Sequence, residues 1–456
     1  MLRQRVAAAL MDVLSVKHAS EDLPAAAMLS LGICPAPLSL AVPDDETRAG
    51  PHAHDVVSRT AQLRWLQAQV DGSRRIAAAE GGVRLPLTAL CQGIVALGRL
   101  AQDAPEPARR NALVLLEEFA TKKAAHAQLR TSAAVALGHA MTGGWRPADR
   151  AGRQSLVKIL RSGQALERRF AALALAEASA RPGPAIPPAS DALEVKGQEP
   201  PGLEGVRGTQ QALSRQLARG RSDAVPWYAM ALGLQRLRLE ETAAASGDTV
   251  PWNSTVALTM REKLRKESSA SQVAAYALAC ALVHRGADPG SWKKAGAQVH
   301  EAFQRTQDPA ARGRIALALG WLRFEPAHQE LIDLMGPARF NPELLRSLSV
   351  ALVLYGDASV VPRLLEMLDG ARSVSSRAAV AAALGSVGDR RAIDPLLTIA
   401  MSRRQPTLAR AFAIVALGKL CEPTPLPWKT PIAHGTPYFA ATEALRNGAS
   451  GLLDLN

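Results

Sequence analysis

The sequence predicts an all-α protein, an α-solenoid of about ten stacked helical hairpins. Three observations carry that prediction. A short Ala-rich phrase ending in Ala-Leu-Gly returns along the chain at intervals about one hairpin long. Apolar residues make up 48% of the 456 residues but aromatics only 4%, so the core must be built from Ala, Leu and Val, which suits closely approaching helices. No run of residues alternates polar and apolar at period two, as a half-buried strand would. A chain this long is also more than one small core needs, so an elongated repeat or several domains is expected.

The phrase ends at Gly32, Gly98, Gly138, Gly233, Gly320, Gly385 and Gly418, with degenerate copies ending at Ala176, Ala279 and Val353. From Gly98 onward the steps are 40, 38, 57, 46, 41, 33, 32 and 33 residues. The first step, from Gly32 to Gly98, is 66 residues, twice 33, although its second half holds no clear extra copy.

The best-formed unit shows the physics. In ASVVPRLLEMLD, residues 358–369, helical spacing puts Val361, Leu364, Leu365 and Leu368 on one face. After the turn GARSVSS, a second helix over 377–387 is rich in Ala, where it must approach its neighbours closely. Gly388 then closes it, because glycine accepts the left-handed conformation that helix ends favour. The next hairpin follows at once in RRAIDPLLTIA, with Pro395 near the helix start, where proline is tolerated. Neither helix can bury its apolar stripe alone, so each hairpin must stack on the next.

The pattern Asp-x-x-x-Arg-x-x-Ala-Ala-x-Ala-Leu-Gly resembles HEAT repeats, especially the short bacterial kind also called PBS-lyase-like. Asp308, Arg312, Ala316, Ala318, Leu319 and Gly320 carry the resemblance, as do Arg377, Ala378, Ala379, Ala383, Leu384 and Gly385. An arginine stands eight residues before the glycine position in five copies, at Arg130, Arg168, Arg312, Arg377 and Arg410. The resemblance implies that these arginines form a ladder, each pairing with an acidic or carbonyl group of a neighbouring repeat. It also implies a right-handed superhelix whose concave face is lined by the second helix of each hairpin. It covers nearly the whole chain, speaks to fold, and is almost silent on function.

The expected organisation is a HEAT-like hairpin over 1–40, an irregular and helical connection over 41–84, repeats over 85–180, a Pro/Gly-rich loop over 181–208, repeats over 209–421, and an extended segment with a capping helix over 422–456. The loop RPGPAIPPASDALEVKGQEPPGLEGVRG is too dense in proline and glycine for regular helix. It reads either as a functional loop or as a solvated linker.

Charge gives a weak preference. Lys and Arg total 54 against 41 acidic residues, a net charge of +13. Much of the excess lies in residues 61–300, including the cluster Arg261, Lys263, Arg265 and Lys266 and the pair Lys293-Lys294. Basic residues on one concave surface would track a phosphate backbone, as HEAT-like DNA glycosylases do, but helix-end cations also complement the helix dipole. Trp227 and Trp252 each follow a proline at an expected helix start, and Trp292 sits beside a turn. Each is either a binding hot spot or a staple holding the helix start to the next repeat.

No catalytic constellation stands out. His52, His54 and Asp55 resemble a metal motif, but no partner set follows at metal-ligand spacing. The chain has one His-Glu dipeptide, His300-Glu301, where the di-iron deoxyhypusine hydroxylases of HEAT type need four. No bilin-lyase motif, nucleophile elbow, Walker loop or dinucleotide fingerprint is present. Cys34, Cys91, Cys280 and Cys421 are far apart and read as small core residues. Without a membrane span or clean signal peptide, the cytoplasm is the expected compartment. The expected function is a non-catalytic scaffold with no cofactor, binding a protein partner, acidic or otherwise, whose identity the sequence does not give. The alternative is a nucleic-acid-binding solenoid using the basic region.

Overall fold

The computed structural model describes residues 2–14, 22–33, 35–36, 58–75, 85–122, 126–144, 146–183, 205–219, 224–246 and 253–420. Among these there are twenty α-helices, one short 3-10 turn and no strand. Consecutive helices pack in pairs. The chain divides into two compact units, whose described parts end at 246 and begin at 253.

The first unit holds α1 (Leu2–Leu14), α2 (Asp22–Ile33), α3 (Arg59–Arg75), α4 (Leu87–Ala101), α5 (Glu106–Thr121), α6 (Ala127–Ala140), α7 (Pro147–Ser162), α8 (Ala165–Ala180), α9 (Val206–Arg219) and α10 (Val225–Ser246). The second holds α11 (Ser254–Lys266), α12 (Ala270–Val283), α13 (Pro289–Arg305), α14 (Pro309–Leu322), α15 (Glu325–Ala338), α16 (Pro342–Tyr355), α17 (Val360–Asp369), α18 (Val374–Val387), α19 (Ile393–Met401) and α20 (Thr407–Leu420). Within each unit the even-numbered helices pack side by side in one row, and each odd-numbered helix packs on its even partner.

The two rows differ in chemistry. The even row is the Ala-rich one. In α12 every residue from Val273 to Val283 is buried, as expected of a helix covered on several sides. The odd helices are amphipathic. On α17 Val360, Val361, Leu364 and Leu368 are buried, while Leu365 lies half-buried at the stripe edge.

At five of its positions the repeated glycine has the same physical reason. A Cβ placed on Gly98 would lie 2.4 Å from the Ala136 carbonyl oxygen, and one on Gly320 would lie 2.6 Å from that of Ala351. Gly32 meets Ala96, Gly138 meets Ala174 and Gly385 meets Ala416 in the same way. In every case the alanine stands two residues before the end of the next copy. Each glycine is therefore a rung that lets the neighbouring backbone touch, and any side chain would push the helices apart. The rung from Gly32 to Ala96 also resolves the double-length first step. It is one step of the row with a longer connection, and α2 packs directly on α4.

Helix ends follow their sequences. Asp288, Asp308 and Asn341 cap α13, α14 and α16, each accepting a hydrogen bond from a backbone N–H three residues on and each followed by proline at the first helical position. Gly388 closes α18 at φ 76°, in the left-handed region its sequence context anticipates.

The Pro/Gly-rich span differs from expectation in two respects. Its last residues are helical, because α9 begins at Val206. It also does not divide the fold, since α8 and α10 pack together across it. Its described ends converge on one turn: the Gly143 N–H donates to the Arg181 carbonyl at 2.7 Å, and the Gly205 N–H donates to the Gly143 carbonyl at 2.9 Å. Residues 41–50, the His52–Asp55 motif, Cys34, Cys421, most of the Pro/Gly-rich span and the expected capping helix over 438–446 lie outside the described residues.

Candidate binding surfaces

The arginine positions of the ladder lie on even helices, and their partners vary. Arg130 of α6 pairs with Glu167 of α8 at 2.6 Å, the two side chains being 13% and 12% exposed. Arg377 donates to the Gln405 side chain at 2.6 Å, just ahead of α20, and to the Ala371 carbonyl at 2.8 Å. Arg410 donates to the Ala400 carbonyl of α19, within its own hairpin. Arg312 lies over the Phe303 ring at 4.7 Å and 3.9 Å from the Glu330 carboxylate. The Nε of Arg168 is buried without a hydrogen-bond partner.

Trp227 is buried at the start of α10, with the Arg169 guanidinium 5.7 Å from its ring. Burial leaves little of its ring open to a ligand. Trp292 is half-buried, and its indole N–H donates to the Leu322 carbonyl at 2.6 Å, tying the start of α13 to the end of α14. Trp252 lies outside the described residues. Lys293, Lys294, Arg265 and Lys266 are exposed, whereas Lys263 is half-buried. Arg261 donates to the Gln298 side chain at 2.7 Å and bridges α11 to α13. Glu262, 3.9 Å from Lys266, offsets part of this cluster.

What sequence reasoning missed is a polar hub around the turn after α6. The last carbonyls of that helix have no partners within it; two arginines supply them, and a third holds the turn beyond. Arg109 donates to the Ala140 carbonyl. Arg181 donates to the His139 and Met141 carbonyls. Arg153 donates to the carbonyls of Thr142 and Gly144. Arg109 is 1% exposed and pairs with Asp149, which is fully buried and also accepts from the Thr142 N–H at 2.8 Å. Cations at a helix C-terminus also complement its dipole. The dibasic steps Arg109-Arg110 and Arg168-Arg169 were visible in the sequence, but nothing local marked Arg109 as the buried member of its pair.

Beside this hub a groove of about 780 Å³ opens between α7 and the start of α9. Among the described residues Arg150, Arg153, Lys158 and Arg161 line it, with Val157, Gly205 and Gly208 among its other walls. The sequence signal for it is the 57-residue step: α9 follows a long insertion, and it touches α7 much less than α5 does.

Buried titratable groups elsewhere serve packing. Burial pushes the Cys280 thiol up to about 12, far from a reactive thiolate. The His284 ring beside it is buried against the Cys280 carbonyl at 2.7 Å, and burial lowers its pKa. No three His, Cys, Asp or Glu side chains converge as a metal site among the described residues. No described helix is long and apolar enough to cross a membrane.

No protein-family profile matches the chain, and no curated protein matches it.

Proposed function

We propose that this chain is a HEAT-type helical-repeat scaffold of ten hairpins that binds a protein partner. The observation that supports it is the recurring glycine-to-alanine rung, which appears in both units with the same offset. The recurring part of each repeat is thereby consumed in stacking, and the odd helices, which do not repeat, are left to differ in charge and surface. That is the division of labour of a repeat protein whose business is recognition. Exposed apolar side chains on α19 and α20, including Met401, Leu408 and Val415, add surface of the kind partners cover. A right-handed superhelix and a concave recognition face belong to the same proposal.

Affinity capture of the protein from its own lysate, with and without nuclease, tests it. A stoichiometric, nuclease-resistant protein partner is the expected result. Recovery dominated by nuclease-sensitive material overturns it in favour of nucleic-acid binding, a reading supported by the +13 net charge.

A further inference from the structure

Exposed apolar side chains are not spread evenly over the molecule. Among the described residues eleven large hydrophobic side chains are exposed, and two on α1–α2 plus six on α19–α20 put eight of them on the first and last described hairpins. Val114, Leu258 and Phe340 are the three on other hairpins. A stacked repeat ordinarily closes its ends with polar outer faces, because an end helix has no neighbour to cover its stripe. Here the first and last described helices of the even row both keep an apolar outer face.

The two faces are unlike, and they are the two halves of the contact that recurs along the row. Each rung sets a glycine of one helix against a small residue two positions before the end of the next copy. The last helix, α20, offers the glycine half. Gly418, Val415, Ile414 and Ala411 share one face at helical spacing and are exposed, and a Cβ on Gly418 meets no atom of the described residues within 4 Å. On α18 the residues at the corresponding places, Gly385, Ala381 and Ala378, are buried. The first even helix, α2, offers the receiving half. Ser30 stands two positions before Gly32, as Ala416 does before Gly418, and Ala26 and Leu23 share its face. Ser30 is half-buried and Ala26 and Leu23 are exposed, whereas on α20 the corresponding Ala416 and Ala409 are buried.

We propose that these two faces dock on each other between molecules, the outer face of α20 in one copy against the outer face of α2 in the next, so that the protein associates with itself head to tail. A second copy is the occupant because it carries the missing half of each contact, in the geometry that already joins the even helices within one chain. The small residues Ala26 and Ser30 leave room for Ile414 and Val415. Two copies of the α20 face would instead set Ile414 and Val415 against each other with no small residue opposite. Contact between unlike faces leaves one of each free, so association continues past a pair unless it closes into a ring. The inference goes beyond the scaffold reading and does not depend on which protein partner the scaffold binds.

Sedimentation velocity of the full chain over a concentration series is the test. The expected result is a mass that rises with concentration beyond that of two chains. Ile414→Asp/Val415→Asp on one face and Leu23→Asp/Ala26→Asp on the other each place charge in the contact, and each variant by itself loses about a hundredfold or more in self-affinity. Mixed in equal amounts, the two variants form a pair and nothing larger, because each keeps the face that the other has lost. The control Phe340→Asp, at a comparably exposed apolar position of another hairpin, leaves association unchanged. All the substituted positions are exposed, and circular dichroism checks that the variants fold. Should the α20 variant misfold, Leu408→Lys at the rim of the same face gives the same readout, with an expected loss of about tenfold. A single species of one chain's mass at every concentration overturns the proposal. So does a pair that survives Leu23→Asp/Ala26→Asp, which assigns the contact to α20 against α20, and so does an equal loss in Phe340→Asp.

Discussion

The Ala-rich row and the amphipathic row solve the same packing problem with different chemistry. The even helices meet backbone to backbone through glycine and alanine, and the contact recurs almost unchanged at Gly32, Gly98, Gly138, Gly320 and Gly385. The odd helices are held in part by polar groups, and most heavily around the turn after α6, where Arg109, Asp149, Arg153 and Arg181 converge. Close apolar contact is short-ranged and tolerates one geometry, so it repeats. Polar contact through long side chains reaches over irregular spacings, so it appears where the repeat is broken by the 181–208 insertion.

Breaking the polar hub has the largest expected effect. Asp149→Ala leaves the Arg109 guanidinium buried without its carboxylate, and removal of one partner of such a pair costs about 3–5 kcal/mol. Chemical denaturation of the first unit should show that loss. A change below about 1 kcal/mol would mean that the Ala140 carbonyl alone satisfies Arg109.

The rung comes next. Gly98→Val drives a side chain into the Ala136 backbone and is expected to cost about 3 kcal/mol. Gly418 is the internal control, since a Cβ there meets no atom of the described residues within 4 Å. Gly418→Ala should therefore be neutral or stabilise by up to about 1 kcal/mol, the ordinary helix preference for alanine. Equal destabilisation at both positions would show that the glycines serve the helix itself and not the contact between helices.

The smallest effect concerns pH. The buried His284 ring, with Arg261 and Asp288 nearby, has its pKa held below the ordinary 6.5, chiefly by burial. An unfolded chain takes up a proton there as pH falls through 6.5, and the folded ring does not. Stability from this group is complete above that value and declines below it, by at most about 1.4 kcal/mol per pH unit. The melting temperature of the second unit should fall between pH 7 and pH 5.5, and His284→Leu should flatten that slope. An unchanged slope would assign the pH dependence to carboxylates instead.

Much of the fold was legible because its signal is local and repeated. The spacing of Gly320, Gly385 and Gly418 marks the Ala-rich helices, and the Asp-Pro steps at 288–289 and 308–309 mark two helix starts. The candidate binding residues were less legible. Pro226-Trp227 reads the same whether the indole faces solvent or the core, and the structure buries it. The basic cluster at 261–266 was conspicuous in the sequence, yet the described groove lies along α7, whose arginines are spread over 150–161 and form no run.

The sequence by itself determined that the chain forms helices, which of them are Ala-rich, and where glycine must stand, because helical periodicity and close approach are written in neighbouring residues. Only the tertiary structure decided that Gly32 meets Ala96, that Arg109 is buried while Arg150 is exposed, and that the ends of the 181–208 insertion meet at Gly143. Those are contacts between residues some 30 to 60 positions apart, and a charged side chain carries no local mark of which carbonyl or carboxylate the fold will bring to it.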